Sequence, residues 1–253
     1  MQLRLQHFQA LDSTSEEAFR QLAAGTARHG DAFVADSQTA GRGRRGNRWT
    51  TSKGEAIAFS VVVEPPASPR THPALLTLIG GLVVLDIARG AGVKGARLKW
   101  PNDLLIEDAK VAGVLVESRG IAGAPLAYVL GIGLNVTQRS FPQELLRERP
   151  VTSLYLAGAD LSVAQALDAL THSLSTRLTK ALAAPDNRAL ETEYLEGLDL
   201  RPGSPIRVRF HGDREPAEGN LISFSLADGF LLRDRTTGTP LHAPTEHIAK
   251  LDR

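Results

Sequence analysis

The sequence predicts an α+β fold, with a mixed-sheet domain over residues 1–199 and a small β-barrel domain over residues 200–253. Two observations support this prediction. Up to Gly197, segments with strand character are interspersed with segments of helical periodicity, as expected for helices packed on a sheet. After Gly197, apolar and polar residues alternate between Gly and Asp turns, which is typical of small β-barrels.

The first helix is predicted to begin at Ser13, because Ser13 and Glu16 have the spacing of a capping box. Gly25 is expected to end it. Apolar runs predict buried strands at residues 32–35, 56–63, 97–100 and 126–136. Two apolar runs separated by the tetrapeptide EDAK predict a β-hairpin over residues 103–118. Helical periodicity predicts two further helices, over residues 162–183 and 188–196.

The most apolar segment begins at Pro73 and is expected to form a buried helix. It contains a Gly80-Gly81 pair, Asp86 and Arg89, which disfavour a membrane span. The N-terminus has no apolar run typical of a signal peptide, so we expect a cytoplasmic protein without membrane association.

Composition excludes several classes of chemistry. The chain of 253 residues has no cysteine, so disulfides, thiolate nucleophiles and cysteine-bound metals are absent. Its net charge of +1 disfavours a dedicated nucleic-acid-binding protein, whose surface carries a strong positive excess.

The segment QTAGRGRRGNRW, residues 38–49, concentrates positive charge on a glycine-rich backbone. Its G-x-G-x-x-G spelling is a poor dinucleotide fingerprint, because no helical spacing follows Gly46. P-loop, G-x-S-x-G and H-E-x-x-H motifs find no match elsewhere. The segment therefore reads either as a loop that closes over an anion, using guanidinium forks, or as an ordinary solvated basic loop.

Three more segments carry polar residues beside apolar strands. In KWPNDLL, Asn102 and Asp103 could simply form a turn. Alternatively, Asp103 could accept hydrogen bonds from a neutral ligand or help to hold a metal ion. In KVAGVLVE, Lys110 precedes a strand in which Gly113 leaves room for close approach. In GIGLN, two glycines and Asn135 suggest that another group approaches the strand backbone.

Taken together and in order, the segments DST, QTAGRGRRGNRW, KWPNDLL, KVAGVLVE and GIGLN closely resemble the signature blocks of biotin–protein ligases. The resemblance covers residues 10–140 and implies a mixed-sheet catalytic domain of the biotin/lipoate ligase type with a C-terminal SH3-like β-barrel. It implies formation of biotinyl-5′-AMP from biotin and ATP with Mg²⁺, and transfer of biotin to a lysine of a biotin carboxyl carrier protein. Because DST stands near residue 12, we expect the monofunctional type without a DNA-binding domain, as a monomer or homodimer.

The resemblance also assigns roles to individual residues. Lys110, Arg42 and Arg44 are expected to be catalytic. The expected biotin-binding residues are Ser13, Thr14, Ser15, Gln38, Arg42, Gly43, Arg44, Lys110, Gly113 and Gly131. The expected ATP-binding residues are Arg42, Arg44, Arg45, Asn102, Lys110, Asn135 and Lys250, and Asp103 is expected to hold the metal ion.

Two positions depart from the family pattern. Ser15 stands where asparagine is common, which removes one expected amide contact to biotin, and Asn47 replaces an arginine of the basic loop. A lipoate–protein ligase of the same superfamily is the first alternative, although the arginine loop matches the biotin version. A non-enzymatic anion or nucleic-acid binder is the second, but aromatic residues make up only 5% of the chain.

Overall fold

The computed structural model describes residues 1–50, 52–64, 73–120, 126–184 and 186–252. Its first part is built on a seven-stranded sheet. The strands are β1 (Arg4–Phe8), β2 (Asp31–Ala35), β3 (Ala56–Val63), β4 (Ala96–Lys99), β5 (Asp103–Ile106), β6 (Ala109–Ser118) and β7 (Tyr128–Asn135). They lie in the order β1-β2-β3-β7-β6-β5-β4. β1 and β2 are parallel, whereas the other neighbours are antiparallel, so the sheet is mixed.

The helices in the described residues are α1 (Thr14–Ala23), α2 (Pro73–Gly90), α3 (Gln143–Glu148), α4 (Val163–Ala183) and α5 (Arg188–Gly197). α2 packs on one face of the sheet, where a Cβ atom at Gly80 would lie 2.7 Å from a methyl group of Val114. This glycine therefore allows close contact between helix and sheet. α2 is long and apolar enough to cross a membrane, but two thirds of it is buried inside the protein, as expected for a core helix.

α1 packs on the opposite face of the sheet. Phe19 and Leu22 of this helix form a second apolar cluster with Phe33, Val62 and Val129, which point away from α2. α1 covers only part of this face, and the rest remains open beside its N-terminus. That open area is where the polar segments singled out in the sequence meet.

The C-terminal part forms a five-stranded antiparallel sheet. Its strands are β8 (Pro205–Phe210), β9 (Ala217–Ser225), β10 (Gly229–Asp234), β11 (Pro240–Ala243) and β12 (Ile248–Asp252), in the order β11-β10-β9-β8-β12. Trp100 of the first part packs edge-on against Phe224 and Phe230, with ring centroids 6.1 and 5.2 Å apart. The two parts therefore share one apolar core, and the division at residue 199 stays a prediction.

The structure confirms the α+β class, the hairpin and each predicted strand and helix to within two residues. The predicted capping box does not form, so that prediction was wrong. Ser13 is the N-cap of α1, but its side chain makes no capping hydrogen bond. Glu16 instead pairs with Arg42 and Arg119, whose positive charges attract it more strongly than a backbone N–H. A complete capping box is found at Ser162 and Gln165 of α4.

Candidate functional site

A cavity opens on the face of the large sheet that carries α1. It is lined by residues from the start of α1, the arginine loop, the turn before β5, and strands β3, β6 and β7. Among its lining residues are all ten that sequence reasoning assigned to biotin: Ser13, Thr14, Ser15, Gln38, Arg42, Gly43, Arg44, Lys110, Gly113 and Gly131. Asn102 and Asp103 line it as well. The fold thus brings five separate sequence segments to one place.

Glycines form the floor of the cavity. A Cβ atom at Gly133 would lie 2.3 Å from the indole ring of Trp49, and one at Gly131 would lie 3.2 Å from Ser15 Oγ. A Cβ atom at Gly113 would lie 3.0 Å from Lys110 Nζ. The sequence predicted that another group approaches the GIGLN backbone, and at Gly133 that group is the Trp49 ring. Larger side chains at these positions would displace the residues that form the site.

One end of the cavity is polar and uncharged. Gln38 Oε1 accepts a hydrogen bond of 2.8 Å from the backbone N–H of Thr14. The hydroxyl of Thr14 lies 2.8 Å from Ser60 Oγ, which in turn lies 3.0 Å from Ser15 Oγ. Ser13, Thr14, Ser15 and Ser60 are all buried. A buried cluster of hydroxyl and amide groups suits a neutral polar ligand group that both donates and accepts hydrogen bonds.

The other end of the cavity carries charge. Lys110 Nζ donates to Asp103 Oδ1 at 2.5 Å, and their side chains are 12% and 22% exposed. Burial lowers the pKa of Lys110 below its usual range, and the Asp103 carboxylate counteracts this shift. The Lys110 ammonium also lies 5.9 Å from the ring centre of Trp49. A partly desolvated cation in this position interacts strongly with an anionic ligand.

The arginine loop is folded back on itself. Gly43 N donates to the carbonyl of Asn47 at 2.7 Å, and Trp49 N donates to the carbonyl of Gly41 at 3.0 Å. A Cβ atom at Gly41 would lie 2.3 Å from the Trp49 carbonyl, so this position requires glycine. Asn47 thus stabilises the loop through its backbone carbonyl.

The four arginines of the loop have different partners. Arg42 pairs with Glu16 and with Glu117, where Nη2 lies 2.5 Å from Oε1. Arg44 Nη1 lies 3.5 Å from Asn102 Oδ1, at the edge of the cavity. Arg45 contacts the His211 ring of the C-terminal sheet. Arg48 Nη2 donates to the Thr39 carbonyl. The loop is therefore attached at several points, and Arg42 already has its charge compensated.

Three predicted ATP-binding residues do not line the main cavity. Arg45 points to His211. Asn135 lines an adjoining recess with Trp49, but its amide is engaged, donating to the Thr152 carbonyl and accepting from Gln138. Lys250 pairs with Asp252 and lines a separate cavity below Trp100. Their assignment to ATP stays a prediction.

Sequence reasoning missed several residues of the site. Trp49 and Ser60 line the cavity, and so does Arg149, which follows α3 and also borders the recess beside Asn135. Ser60 could have been found, since it is the one polar residue in the apolar strand AIAFSVVV. Arg149 Nε is buried and has no hydrogen-bond partner within the described part of the chain, so it is available to an anion.

The described residues contain no group of three or more His, Asp or Glu side chains arranged for a metal ion. Within that part of the chain, Asp103 is the only acidic residue that lines the cavity. A metal ion here would need most of its ligands from a bound molecule or from water.

Comparisons with known proteins agree with this geometry. The model described as Biotin/lipoate A/B protein ligase family matches residues 7–135. The chain is 33% identical over 188 residues to the bifunctional ligase/repressor BirA of Escherichia coli (strain K12), covering 74% of this chain and 54% of that protein. It is 36% identical over 212 residues to the biotin–[acetyl-CoA-carboxylase] ligase of Mycobacterium tuberculosis, covering 80% of this chain and 73% of that protein.

A solved structure is similar over the whole chain. The biotin protein ligase from Aquifex aeolicus in complex with biotin and ATP has a TM-score of 0.78 and 27% identity, covering 99% of each chain. The match spans about half the length of the BirA proteins of Escherichia coli and Salmonella typhimurium. The match to the family model and the Mycobacterium relative is decisive for membership: the chain belongs to the biotin/lipoate A/B protein ligase family.

Proposed function

We propose that this chain is an ATP-dependent biotin–protein ligase. The observation that carries the proposal is one cavity with a neutral, hydrogen-bonding end at Ser15 and Gln38 and a cationic end at Lys110 and Arg44. Biotin has a neutral ureido head and a carboxylate tail, and ATP brings further negative charge. The distribution of polar and charged groups in the cavity matches that substrate pair.

In the first step, a carboxylate oxygen of biotin attacks the α-phosphorus of ATP. The bond from the α-phosphorus to the bridging oxygen breaks, and pyrophosphate leaves. Two anions must approach each other, so the site must offset their repulsion. We assign Lys110 to contact both the carboxylate and the α-phosphate; Lys110, Arg44 and Arg149 all line the cavity. Arg42 and Asn102 line the same cavity, and we assign them to the nucleotide side.

Mg²⁺ fits this site through Asp103. In nucleotide sites this ion is held by one or two carboxylates together with phosphate oxygens, and Asp103 supplies one carboxylate beside Lys110. When bound, the ion would neutralise phosphate charge as pyrophosphate leaves. The other contributions come from the protein: Lys110 supplies a fixed positive charge, and Asn102 is oriented by its hydrogen bond to the Val114 carbonyl.

In the second step, the ε-amino group of a carrier-protein lysine attacks the acyl carbon of biotinyl-5′-AMP. An amide bond forms, AMP leaves, and the amine loses a proton. Water would compete for the same carbon, so the intermediate has to be covered. The arginine loop is positioned to do this, since Arg42, Gly43 and Arg44 line the cavity while Arg45 holds the outer side of the loop to His211.

The test is biotin-dependent exchange of labelled pyrophosphate into ATP, with lipoate as the competing acid. We expect exchange with biotin and Mg²⁺, and none above background with lipoate, because the neutral end of the cavity is built for hydrogen bonds. Exchange with lipoate alone would instead favour the lipoate ligase alternative, and exchange with neither acid would contradict the proposal.

A further inference from the structure

Ser60 lies at the centre of the neutral end of the cavity. It is the one polar residue in β3, it is 0% exposed, and it pairs in register with Gly131 of β7, which also lines the cavity. Burying a hydroxyl group is unfavourable unless it is hydrogen-bonded. Ser60 Oγ meets this requirement through Thr14 Oγ1 at 2.8 Å and Ser15 Oγ at 3.0 Å.

The direction of these hydrogen bonds follows from Gln38. Its Oε1 accepts from the backbone N–H of Thr14, which can only donate, so this end of the amide is the oxygen. The Thr14 hydroxyl lies 3.2 Å from the same oxygen and must therefore donate to it. A hydroxyl has a single proton, so Thr14 Oγ1 can only accept from Ser60.

The same reasoning extends to Ser15. The proton of Ser60 is used on Thr14, so Ser60 Oγ accepts from the Ser15 hydroxyl. The hydrogen bonds form a relay in which Ser15 donates to Ser60, Ser60 donates to Thr14, and Thr14 donates to Gln38. Ser15 consequently presents lone pairs, and no proton, to a ligand. The space in front of it exists because residue 131 is glycine, where a Cβ atom would lie 3.2 Å from Ser15 Oγ.

We infer that Ser60 is a positioning residue that fixes Ser15 as a hydrogen-bond acceptor, and so makes this chain select acids whose head group offers an N–H donor. A ureido ring has such donors, whereas a dithiolane ring has none. The inference rests on the proposed function. It also gives a role to the departure at Ser15, since an asparagine side chain would both donate and accept, while serine in this relay can only accept.

The experiment compares biotin with its two cyclic carbamate analogues, in which oxygen replaces one or the other ureido N–H. Dissociation constants are measured calorimetrically without ATP for the wild type and for Ser60→Ala. In the wild type, the ring oxygen of at least one analogue faces the lone pairs of Ser15, so that analogue binds much more weakly than biotin. In Ser60→Ala the Ser15 hydroxyl is free to rotate and donate to that oxygen.

We expect Ser60→Ala to lower the ratio of analogue to biotin dissociation constants by about fivefold or more, the scale of one hydrogen bond. Ser60→Thr keeps the hydroxyl and is expected to preserve the ratio. Ser15→Ala should abolish the effect of the Ser60 substitution, because the acceptor is then missing. Ser173 lies on α4 and donates to Asp86 of α2, and neither residue lines the cavity, so Ser173→Ala serves as the matched control.

The outcomes separate the two claims. If the wild type binds biotin but the ratio is unchanged in Ser60→Ala, the relay is overturned and the proposed function stands. If the wild type binds no biotin, the proposed function fails and the inference fails with it. Thermal melting of each variant distinguishes loss of the fold from loss of selectivity.

Discussion

Lys110 Nζ and Asp103 Oδ1 lie 2.5 Å apart at the cationic end of the cavity, on neighbouring strands of the large sheet. The pair holds a lysine in a place where burial lowers its pKa, and a carboxylate where a metal ion would be needed. In the proposed mechanism, this one contact therefore links charge stabilisation, the proton equilibrium of Lys110 and metal binding.

The first prediction concerns the lysine. Lys110→Ala should reduce biotin-dependent pyrophosphate exchange by about a hundredfold or more, the scale of losing one preorganised electrostatic contact in a transition state. Lys94→Ala changes an exposed lysine and is the control. Wild-type exchange in Lys110→Ala would remove this residue from the mechanism.

The second prediction concerns pH. In the proposed mechanism protonated Lys110 is the active form, so kcat/KM for exchange should fall as pH rises through its pKa, which lies below the usual lysine value. Asp103 raises that pKa, so Asp103→Asn should move the alkaline limb of the profile to lower pH. In the proposed mechanism, the pH at which the rate falls reports on Lys110, whereas the maximal rate also reports on the loss of the proposed metal-binding carboxylate. A limb that stays in place or moves to higher pH would argue against the coupling.

The third prediction concerns containment of the intermediate. Arg44 lines the cavity and reaches Asn102 from the loop side, so Arg44→Gly should loosen the cover over biotinyl-5′-AMP. We expect several-fold more biotin on lysines of an added bystander protein, detected by streptavidin blotting. Arg235→Gly alters an exposed arginine of the C-terminal part and is the control. Normal synthesis of the intermediate without extra labelling would mean that Arg44 does not retain it.

The fourth prediction concerns Glu117. Its Oε1 lies 2.5 Å from Arg42 Nη2, and both groups are only partly exposed. Glu117→Gln should raise KM for biotin about threefold to tenfold with little change in kcat, because a charge-assisted hydrogen bond that orients Arg42 is weakened. Glu218→Gln weakens an exposed ion pair with Arg207 and is the matched control. Identical KM values in the two variants would show that Arg42 needs no such support.

Sequence patterns were sufficient for elements with strong local signals. The apolar strand AIAFSVVV matches β3, which is buried on both faces. The hairpin predicted over residues 103–118 matches β5 and β6, whose apolar residues are largely buried. β1 was missed because RLQHF is short and largely exposed, so little apolar periodicity marks it. α3 has six residues and none of them is buried, which leaves no amphipathic signal.

The site could be predicted only in part, because its interactions join distant positions. Arg42 and Glu117 are 75 residues apart, and Arg45 and His211 are 166 apart, so no local pattern relates them. Glu16 appeared to be a capping residue when read locally, yet the folded chain supplies it with two arginines. The motif residues themselves were identifiable, but the partners that orient them required the three-dimensional structure.

The most direct measurement of the central claim is mass spectrometry of the purified protein incubated with biotin, ATP and Mg²⁺, followed by addition of a biotin carboxyl carrier domain. The account predicts biotinyl-5′-AMP before the carrier is added, and afterwards AMP together with a carrier heavier by one biotinyl group on a single lysine. Lys110→Ala run in parallel should form both products far more slowly than the wild type. Absence of biotinyl-5′-AMP from the wild type, with biotin and ATP unchanged, would contradict the account.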